Sequence, residues 1–314
     1  MQSELAPPSR IAIGAIVKNE APYILEWVAY HRVLGVERFF IADNASDDGT
    51  TELLAGLQAI GVVDSFAFPG ARGRPPQLPA YSQIMSRYRY EADWVAFIDA
   101  DEFIVPAGNL RTLRQYFAAV GPNVGAVVLN WALYGSSRRR EPSDGLVIER
   151  FFSRAEENHR TNFHYKTIVR SEDWRGVGTN PHAFHTRDGA WTVQADGFEV
   201  ANHPDKGPGI SDRLVWAPLR INHYVVKSRA EFDRKKAPRG RATIQNAFRD
   251  DKFFQAHDRN EVADPMPDWL IAATKEEIAA IKQRLALAGL PQVVIDLDKA
   301  VSSLRPIPSG QEDK

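Results

Sequence analysis

Two carboxylates separated by a single residue follow an apolar run near the middle of the chain. Asp99 and Asp101 come directly after residues 94–98, which have the composition of a buried strand. Carboxylates this close repel each other unless a cation lies between them. Because hard divalent ions take oxygen ligands, Mg²⁺ or Mn²⁺ suits such a pair. The alternative is that both acids cap a following helix or lie in solvent, and a DxD sequence alone does not decide between the two.

Polar residues also follow the first two apolar runs of the chain. Residues 11–17 are followed by Lys-Asn-Glu at residues 18–20, and residues 38–42 are followed by Asp43 and Asn44. In an open parallel sheet, ligands bind beyond the carboxyl ends of the strands. We therefore expect these segments and the acidic pair to converge on one edge of a sheet. Turn chemistry alone explains the rest of the second loop, whereas Asp43 and Asn44 are placed to bind a base or a ribose.

The elements that must position these residues alternate along the first 130 residues. Short β-branched runs alternate with amphipathic segments, which is typical of a parallel α/β sheet. We predict strands at residues 11–17, 38–42, 62–67, 94–98 and 125–129, and helices that begin near Asn19, Asp47, Tyr81 and Asn109. Beyond residue 130 the pattern becomes α+β, with strand-like pieces at 145–152, 165–169 and 219–221 and a surface helix at 275–288 before a polar tail.

Composition restricts the classes of function. The 314 residues carry 39 Lys and Arg against 40 Asp and Glu, so no overall basic field favours nucleic acid. Cysteine is absent, which excludes disulfides, thiolate metal sites and cysteine nucleophiles. No apolar run approaches the roughly 20 residues that a membrane-spanning helix needs, and the first residues lack a secretory pattern. We expect a cytoplasmic protein with no nucleic-acid partner, and peripheral membrane contact stays open.

The order of the motifs resembles the nucleotide-sugar glycosyltransferases of the GT-A fold. Residues 16–20, 42–50 and 97–103 look like the ordered signatures of that group. Residues 130–137 and 221–228 make the sequence more similar to glycosyltransferase family 92 and its bacterial family 2-like relatives than to ordinary family 2 enzymes. The resemblance implies an α/β fold with a Rossmann-like, nucleotide-binding mixed sheet flanked by helices, an α+β acceptor half and a C-terminal helical tail.

The resemblance also implies a division of the chain. Residues 1–9 would be a flexible N-terminus, and residues 10–130 a nucleotide-sugar-binding α/β half. Residues 131–240 would bind the acceptor and complete the metal site within the same domain, and residues 241–314 would form a C-terminal helical extension.

Carried onto this sequence, the resemblance assigns a donor site and a metal site. It implies nucleotide-sugar binding by Val17, Lys18, Asn19, Glu20, Asp43, Asn44, Arg72, Arg74, Gln77, Tyr81, Asp99, Ala100, Lys227, Lys235 and Arg239. It implies a metal site of Asp99, Asp101 and His223, with Mn²⁺ favoured over Mg²⁺ because an imidazole joins the carboxylates. His223 could instead be a hydrogen-bonded core histidine, and the basic residues a solvated charge run.

The implied reaction transfers a sugar from a UDP-sugar to a hydroxyl of a glycan or glycoconjugate, with inversion. Galactose is the donor sugar that the resemblance suggests. A carboxylate would act as the general base, for which Glu141, Asp144, Glu149 and Asp188 are candidates that could equally be surface acids. The acceptor would contact Trp131, Tyr134, Gly135 and Ser136, although such aromatic residues more often belong to the core.

Two other classes of function stay open. One is a non-catalytic nucleotide-sugar or glycan-binding protein on the same scaffold. The other is a metal-dependent hydrolase or nucleotidyltransferase that uses the same acids. A nicotinamide enzyme is disfavoured, because residues 11–20 lack a GxGxxG turn. The sequence does not determine the acceptor, the linkage, the pathway or the oligomeric state.

Overall fold

The computed structural model describes residues 9–70, 74–236 and 249–304. The strands are β1 Ile11–Val17, β2 Arg38–Asp43, β3 Asp64–Ala67, β4 Trp94–Phe97, β5 Glu102–Pro106, β6 Val124–Leu133, β7 Ser153–Arg154, β8 Tyr165–Arg170, β9 Trp174–Val177, β10 Phe184–Thr186, β11 Trp191–Gln194, β12 Asn202–His203, β13 Gly207–Ser211, β14 Leu219–His223 and β15 Val262–Ala263. The helices are α1 Ile24–Val33, α2 Thr50–Ala59, α3 Gln77–Tyr88, α4 Leu113–Phe117, α5 Val147–Arg150, α6 Arg229–Glu231, α7 Asp251–His257, α8 Asp268–Leu287 and α9 Pro291–Ser302.

A mixed sheet forms the centre of the molecule. Across the described residues its strand order is β3-β2-β1-β4-β8-β6-β14-β5, with β11 paired to β6. All seven residues of β1 are buried, as expected for a central parallel strand that is covered on both faces. The helix-flanked, mixed α/β fold that the sequence predicts is confirmed. The predicted division at residues 130 and 131 falls inside β6.

Strand directions bring the ends of several strands to one edge of this sheet. β1 runs parallel to β2 and β4, whereas β8 runs antiparallel to β4 and to β6. β14 runs parallel to β6 and antiparallel to β5, and its register places His223 opposite Glu102. The carboxyl ends of β1, β2, β4 and β14 therefore meet the beginnings of β5 and β8 at the same edge.

The first helix does not begin at Asn19 as predicted. α1 begins at Ile24, and Asn19 has a left-handed backbone with φ 57°. The Asn19 side chain donates to Oδ1 of Asp47 at 2.7 Å and accepts from the Asp47 amide at 2.9 Å. Asn19 thus joins the loops after β1 and β2. Its side-chain amide forms hydrogen bonds with the backbone and the side chain of Asp47 instead of capping the helix that follows it.

Two other predictions of elements are wrong, and one strand was not predicted at all. Residues 145–152, predicted as a strand, contain helix α5, whose first amides are bound by the carboxylate of Glu26. β5 was not predicted, because its partner β14 lies far along the chain. The predicted polar tail contains helix α9, which packs closely on α2, since a Cβ at Gly56 would lie 2.7 Å from Val293.

The C-terminal helices form part of the core. α8 packs on α1 and buries Leu270, Ile281 and Leu285. The sequence predicts only the second part of this helix, which begins at Asp268. Among the residues that the structure describes, none of the helices is both long and apolar enough to cross a lipid bilayer.

Candidate active site

Both carboxylate oxygens of Asp99 are held by side chains from other elements. Oδ1 accepts a hydrogen bond from Nε2 of Gln77, at the start of α3, at 2.9 Å. Oδ2 accepts from Nζ of Lys166, near the start of β8, also at 2.9 Å. Gln77 Nε2 donates in addition to the hydroxyl of Tyr81 at 2.9 Å. The structure therefore brings the predicted donor-site residues Gln77, Tyr81 and Asp99 together around a lysine that sequence reasoning did not select.

Lys166 balances the charge of this acidic edge. Its side chain is 1% exposed, and Nζ lies 3.4 Å from Oε2 of Glu102, which also accepts from the Asp99 amide at 2.8 Å. Burial raises the pKa of Glu102 to about 8, although the charge of Lys166 opposes this. Burial lowers the pKa of Lys166, but the adjacent carboxylates outweigh it and hold that pKa well above its ordinary value. Lys166 is therefore a buried cation at neutral pH.

The positive charge of Lys166 in turn lowers the pKa of Asp99. Burial raises the pKa of this carboxyl, but the charge and hydrogen bond of Lys166 outweigh burial, so the net pKa lies below its usual value. Asp99 is therefore a carboxylate at neutral pH, with its orientation set by Gln77 and Lys166.

Asp101 and His223 form a second pair at the same edge. Nε2 of His223 lies 3.7 Å from Oδ1 of Asp101, and the two residues are 8% and 5% exposed. The Tyr224 amide donates to the Asp101 carbonyl at 2.9 Å, which ties the end of β14 to the turn that carries both acids. The pair results from the β5–β14 register, since His223 lies opposite Glu102.

The Asp101–His223 pair fits two ligands of one divalent ion. Ligand distances of about 2.1 Å let one ion bridge donor atoms up to about 4.2 Å apart, and these atoms are 3.7 Å apart. Within residues 9–70, 74–236 and 249–304, no group of three or more His, Asp or Glu side chains is arranged to hold a metal. The predicted third ligand, Asp99, instead has both oxygens bound by Gln77 and Lys166. An ion here would take its remaining ligands from phosphate oxygens and water, as Mg²⁺ commonly does.

Trp131 contacts the ring of His223 and two further imidazole rings. The ring of Trp131 lies 4.3 Å from that of His223, stacks on His164 at 5.1 Å and meets His182 edge-on at 5.4 Å. Burial lowers the pKa of His182 to about 3 and also lowers that of His164. Both are therefore neutral at pH 7. Trp131, predicted to bind the acceptor, thus contacts the imidazole that faces Asp101.

The other predicted acceptor residues are held by contacts within the protein. The Tyr134 hydroxyl donates to the carbonyl of Asp264 at 2.8 Å, and the ring is 1% exposed. A Cβ at Gly135 would lie 2.3 Å from the carbonyl oxygen of Arg259, so only glycine fits there. The Ser136 amide donates to Asp258 at 2.6 Å. These contacts hold the segment after β6 in place beside Trp131.

The loop after β2 is closed by its own hydrogen bonds. Oδ1 of Asp43 accepts from the Ser46 hydroxyl at 2.6 Å, and the side chain of Thr51 donates to Oδ2. The backbone amide of Asn44 donates to the carbonyl of Val17 at 2.8 Å, which links the ends of β2 and β1. Asp43, which is 5% exposed, is therefore fixed at the edge where the acidic pair lies.

Two predicted basic residues lie beside the end of β1. Lys235 forms an ion pair with Glu20, and its Nζ lies 4.3 Å from the centre of the Tyr23 ring. Lys227 is 3% exposed, and its Nζ lies 4.5 Å from the same ring. The fold thus brings together Glu20 and Lys235, which lie 215 residues apart in the sequence.

The remaining predicted donor-site residues differ in environment. Ala100 is buried between the two acids, Lys18 is partly exposed, and Arg74 is exposed. Arg72 and Arg239 lie outside the described residues.

The four candidate bases lie in different settings. Glu149 accepts from the Leu146 amide at 2.9 Å and pairs with Lys275, so its contacts are those of a helix cap. Glu141 and Asp144 are exposed in the loop after β6, and Asp188 is exposed in the turn between β10 and β11. The identity of the base stays a prediction.

Sequence reasoning missed Lys166 and did not assign a role to Glu102. Lys166 interrupts an otherwise apolar strand in the sequence Tyr-Lys-Thr-Ile-Val, and a lysine at such a position is rarely buried unless it is paired. That signal indicates a buried partner without identifying it. Glu102 follows the acidic pair directly and could have been read as part of the same motif.

The model of glycosyltransferase family 92 matches residues 14–196. The chain is 31% identical over 202 residues to a family 92 protein of Ricinus communis, covering 62% of this chain and 35% of that protein. It is 30% identical over 199 residues to a family 92 protein of Oryza sativa subsp. japonica, covering 62% of this chain and 32% of that protein. The matched region thus spans about a third of the length of these curated relatives.

Among solved structures, the chain is similar to S. aureus TarS 1–349 in complex with UDP. The TM-score is 0.32 at 16% identity, covering 52% of this chain and 47% of that one. The family model, by contrast, matches more than half of the 314 residues and includes the acidic pair, Lys166 and the strands that position them. The chain therefore belongs to glycosyltransferase family 92.

Proposed function

We propose that this chain is a metal-dependent glycosyltransferase that moves a sugar from a UDP-sugar to a hydroxyl of a glycan or glycoconjugate, with inversion. The observation that carries the proposal is the Asp101–His223 pair, 3.7 Å apart, beside the oriented carboxylate of Asp99. Membership of family 92 supports transferase chemistry. Galactose is the donor sugar that the family resemblance suggests.

The donor would lie along the edge where the strands end. Asp43 and Asp99 would bind the ribose and the base, because both are fixed carboxylates at the ends of the two parallel strands that flank β1. Asp101 and His223 would hold Mn²⁺ or Mg²⁺. When bound, such an ion supplies positive charge to the phosphate oxygens of the leaving group. Lys227 and Lys235 would add protein charge near the end of β1.

The acceptor would approach from the side of Trp131. Its hydroxyl must lose a proton as it attacks the anomeric carbon, and one carboxylate must accept that proton on the face opposite the leaving diphosphate. The transition state has oxocarbenium character, as in glycoside hydrolysis. Replacing each candidate base by its amide, in Glu141→Gln, Asp144→Asn, Glu149→Gln and Asp188→Asn, tests this role. The base variant loses kcat while its binding of UDP is unchanged.

A thermal-shift series tests the proposal. The protein is heated with UDP in Mn²⁺, in Mg²⁺ or in chelator, as wild type and as Asp101→Ala. We expect UDP to raise Tm only with a divalent ion, because a ligand at 100 times its Kd stabilises the native state by about 2.7 kcal/mol. Asp101→Ala should lose this effect. Asp205→Ala, which removes an exposed carboxylate elsewhere, serves as the matched control and should keep it.

Four outcomes would contradict the proposal or change its class. Equal stabilisation by UDP in chelator contradicts metal dependence, and no stabilisation in any condition contradicts a UDP site. If UDP is released from a UDP-sugar only when an acceptor is added, the result supports a transferase. Release without an acceptor indicates a hydrolase, and binding with no release under either condition indicates a non-catalytic protein.

A further inference from the structure

A cavity of about 410 Å³ lies beside β14, and His223 is not among the residues that line it. Its walls include Arg220 and Asn222 of β14, the end of β5 and the segment that leads into α8. Arg220 precedes His223 by three residues, which is about 10 Å along a strand. The cavity is therefore separate from the donor site but joined to it by one strand.

Positive charge predominates around this cavity. Arg220 donates to Oδ2 of Asp264 at 2.8 Å, and Arg154 donates to the same oxygen at 2.6 Å. A third guanidinium, that of Arg111, donates to the carbonyls of Gly108 and Leu110 at 3.0 and 3.1 Å. Two guanidinium groups thus share one carboxylate, and a third lies in the wall of the cavity, which favours an anionic ligand.

Helix α8 contributes both signs of charge to the same region. Its 20 residues begin beside the cavity after Pro267, so the positive end of the helix dipole faces this region, and the carboxylate of Asp268 lies in its first turn.

Two tryptophans supply flat apolar surfaces to the same cavity. The ring of Trp216 lies 5.2 Å from the guanidinium of Arg220, and Nε1 donates to the Trp131 carbonyl at 2.9 Å. Trp269 is 36% exposed, and its ring lies 5.0 Å from the guanidinium of Arg111. Indole faces can pack against the C–H face of a sugar ring, while guanidinium groups bind carboxylate or phosphate oxygens. The volume is also in the range of small-molecule sites.

We propose that this cavity binds an anionic carbohydrate unit, such as a uronic acid or a sugar phosphate, and that this unit belongs to the acceptor. Trp216 bonds to the backbone of Trp131, and Arg220 donates to the Tyr134 hydroxyl at 3.3 Å, so the cavity adjoins the segment that faces the active site. The assignment to the acceptor rests on the proposed glycosyltransferase function. Binding of the anionic sugar does not depend on it.

Titration calorimetry of the full chain tests the proposal. The probes are glucuronate, glucose 6-phosphate, glucose and inorganic phosphate. We expect one of the two anionic sugars to bind at least tenfold more tightly than glucose and than inorganic phosphate. Arg111→Ala and Trp269→Ala should each weaken that binding at least tenfold. Both side chains are at the surface, so these variants are expected to fold, which their Tm checks.

Two matched variants control for general surface effects. Arg175 is also an exposed arginine that donates to two nearby carbonyls, at 2.9 Å each, and Trp191 is 56% exposed. Arg175→Ala and Trp191→Ala should leave the binding unchanged. If they weaken it as much as the cavity variants do, the site is elsewhere and the proposal is overturned.

The comparison among probes decides the remaining cases. Equal binding of glucose overturns the requirement for charge, and equal binding of inorganic phosphate overturns the requirement for a sugar. Absence of binding by both anionic sugars overturns the site itself. Binding of UDP with Mn²⁺ is measured in parallel on the same proteins. Its loss alongside intact sugar binding counts against the proposed function and not against the cavity.

Discussion

Replacing Lys166 by Met would remove the cation that two carboxylates share. Its Nζ lies 2.9 Å from Asp99 and 3.4 Å from Glu102, and the side chains of Lys166 and Glu102 are 1% and 0% exposed. Met fills similar space without the charge. Removing one partner of a buried ion pair costs about 3–5 kcal/mol, because the remaining charge is left without compensation. We therefore expect a destabilisation of that size from Lys166→Met.

This free energy converts to a measurable shift in Tm. Unfolding entropy near 2.1 cal/mol/K per residue means that 1 kcal/mol lowers the Tm of a 314-residue chain by about 1.5 °C. Lys166→Met should therefore lower Tm by about 5–8 °C at pH 9, as measured by circular dichroism, because this pH lies above the pKa of about 8 of Glu102 and both acids are then carboxylates. The double variant Lys166→Met/Glu102→Gln should recover at least half of this, because it leaves only Asp99, whose side chain is 35% exposed and open to water.

A surface lysine provides the control for this substitution. Lys252 is exposed, so Lys252→Met should shift Tm by less than about 1 °C. A Lys166→Met protein with an unchanged Tm would refute the view that Lys166 compensates the two acids. A double variant less stable than the single one would refute the assignment of Glu102 as part of the same charge group.

Two further predictions concern the scaffold. Burial raises the pKa of Glu26 from 4.5 to about 7, so native stability falls by about 3 kcal/mol as pH rises from about 4.5 through 7. Glu26→Gln has no carboxyl group at this position and should not show this loss. The free energy of unfolding of the variant, measured in urea, should therefore rise by about 3 kcal/mol relative to that of the wild type between pH 4.5 and 7. A difference between the two proteins that does not change with pH would contradict this prediction. Gly135→Ala should cost about 3 kcal/mol, because its Cβ would lie 2.3 Å from the Arg259 carbonyl. Gly121→Ala, with nothing within 4 Å of its Cβ, should leave Tm unchanged, and equal Tm values for the two variants would refute this packing argument.

The edge of the sheet where β1, β2 and β4 end could be predicted from the sequence to a large extent. The apolar runs at β1, β2 and β4 are local patterns, and a parallel sheet brings the loops after its strands to a common edge. The order of the motifs was enough to identify the family. Where local signals compete, the prediction was less accurate. Asn19 has the residue type of a helix cap, but its amide bonds to Asp47 instead.

The β5–β14 ribbon shows the limit of such reasoning. Its register pairs Glu102 with His223, residues far apart in the chain, and this pairing carries His223 to Asp101. No local pattern encodes the register, because it depends on how β14 is held between β5 and β6. The sequence predicted that His223 could join the acids, and only the folded sheet shows which acid it faces.

The sequence by itself determined the alternating strands and helices, the acidic residues at their ends and the family, because hydrophobic periodicity and short motifs are local properties of a chain. The tertiary structure decided which charges compensate one another. It placed Lys166 between Asp99 and Glu102, and it assembled the cavity at Arg220 from β5, β14 and the segment before α8. The physical reason is that a buried charge needs a partner within a few ångströms, and that partner is chosen by strand register and packing between distant segments.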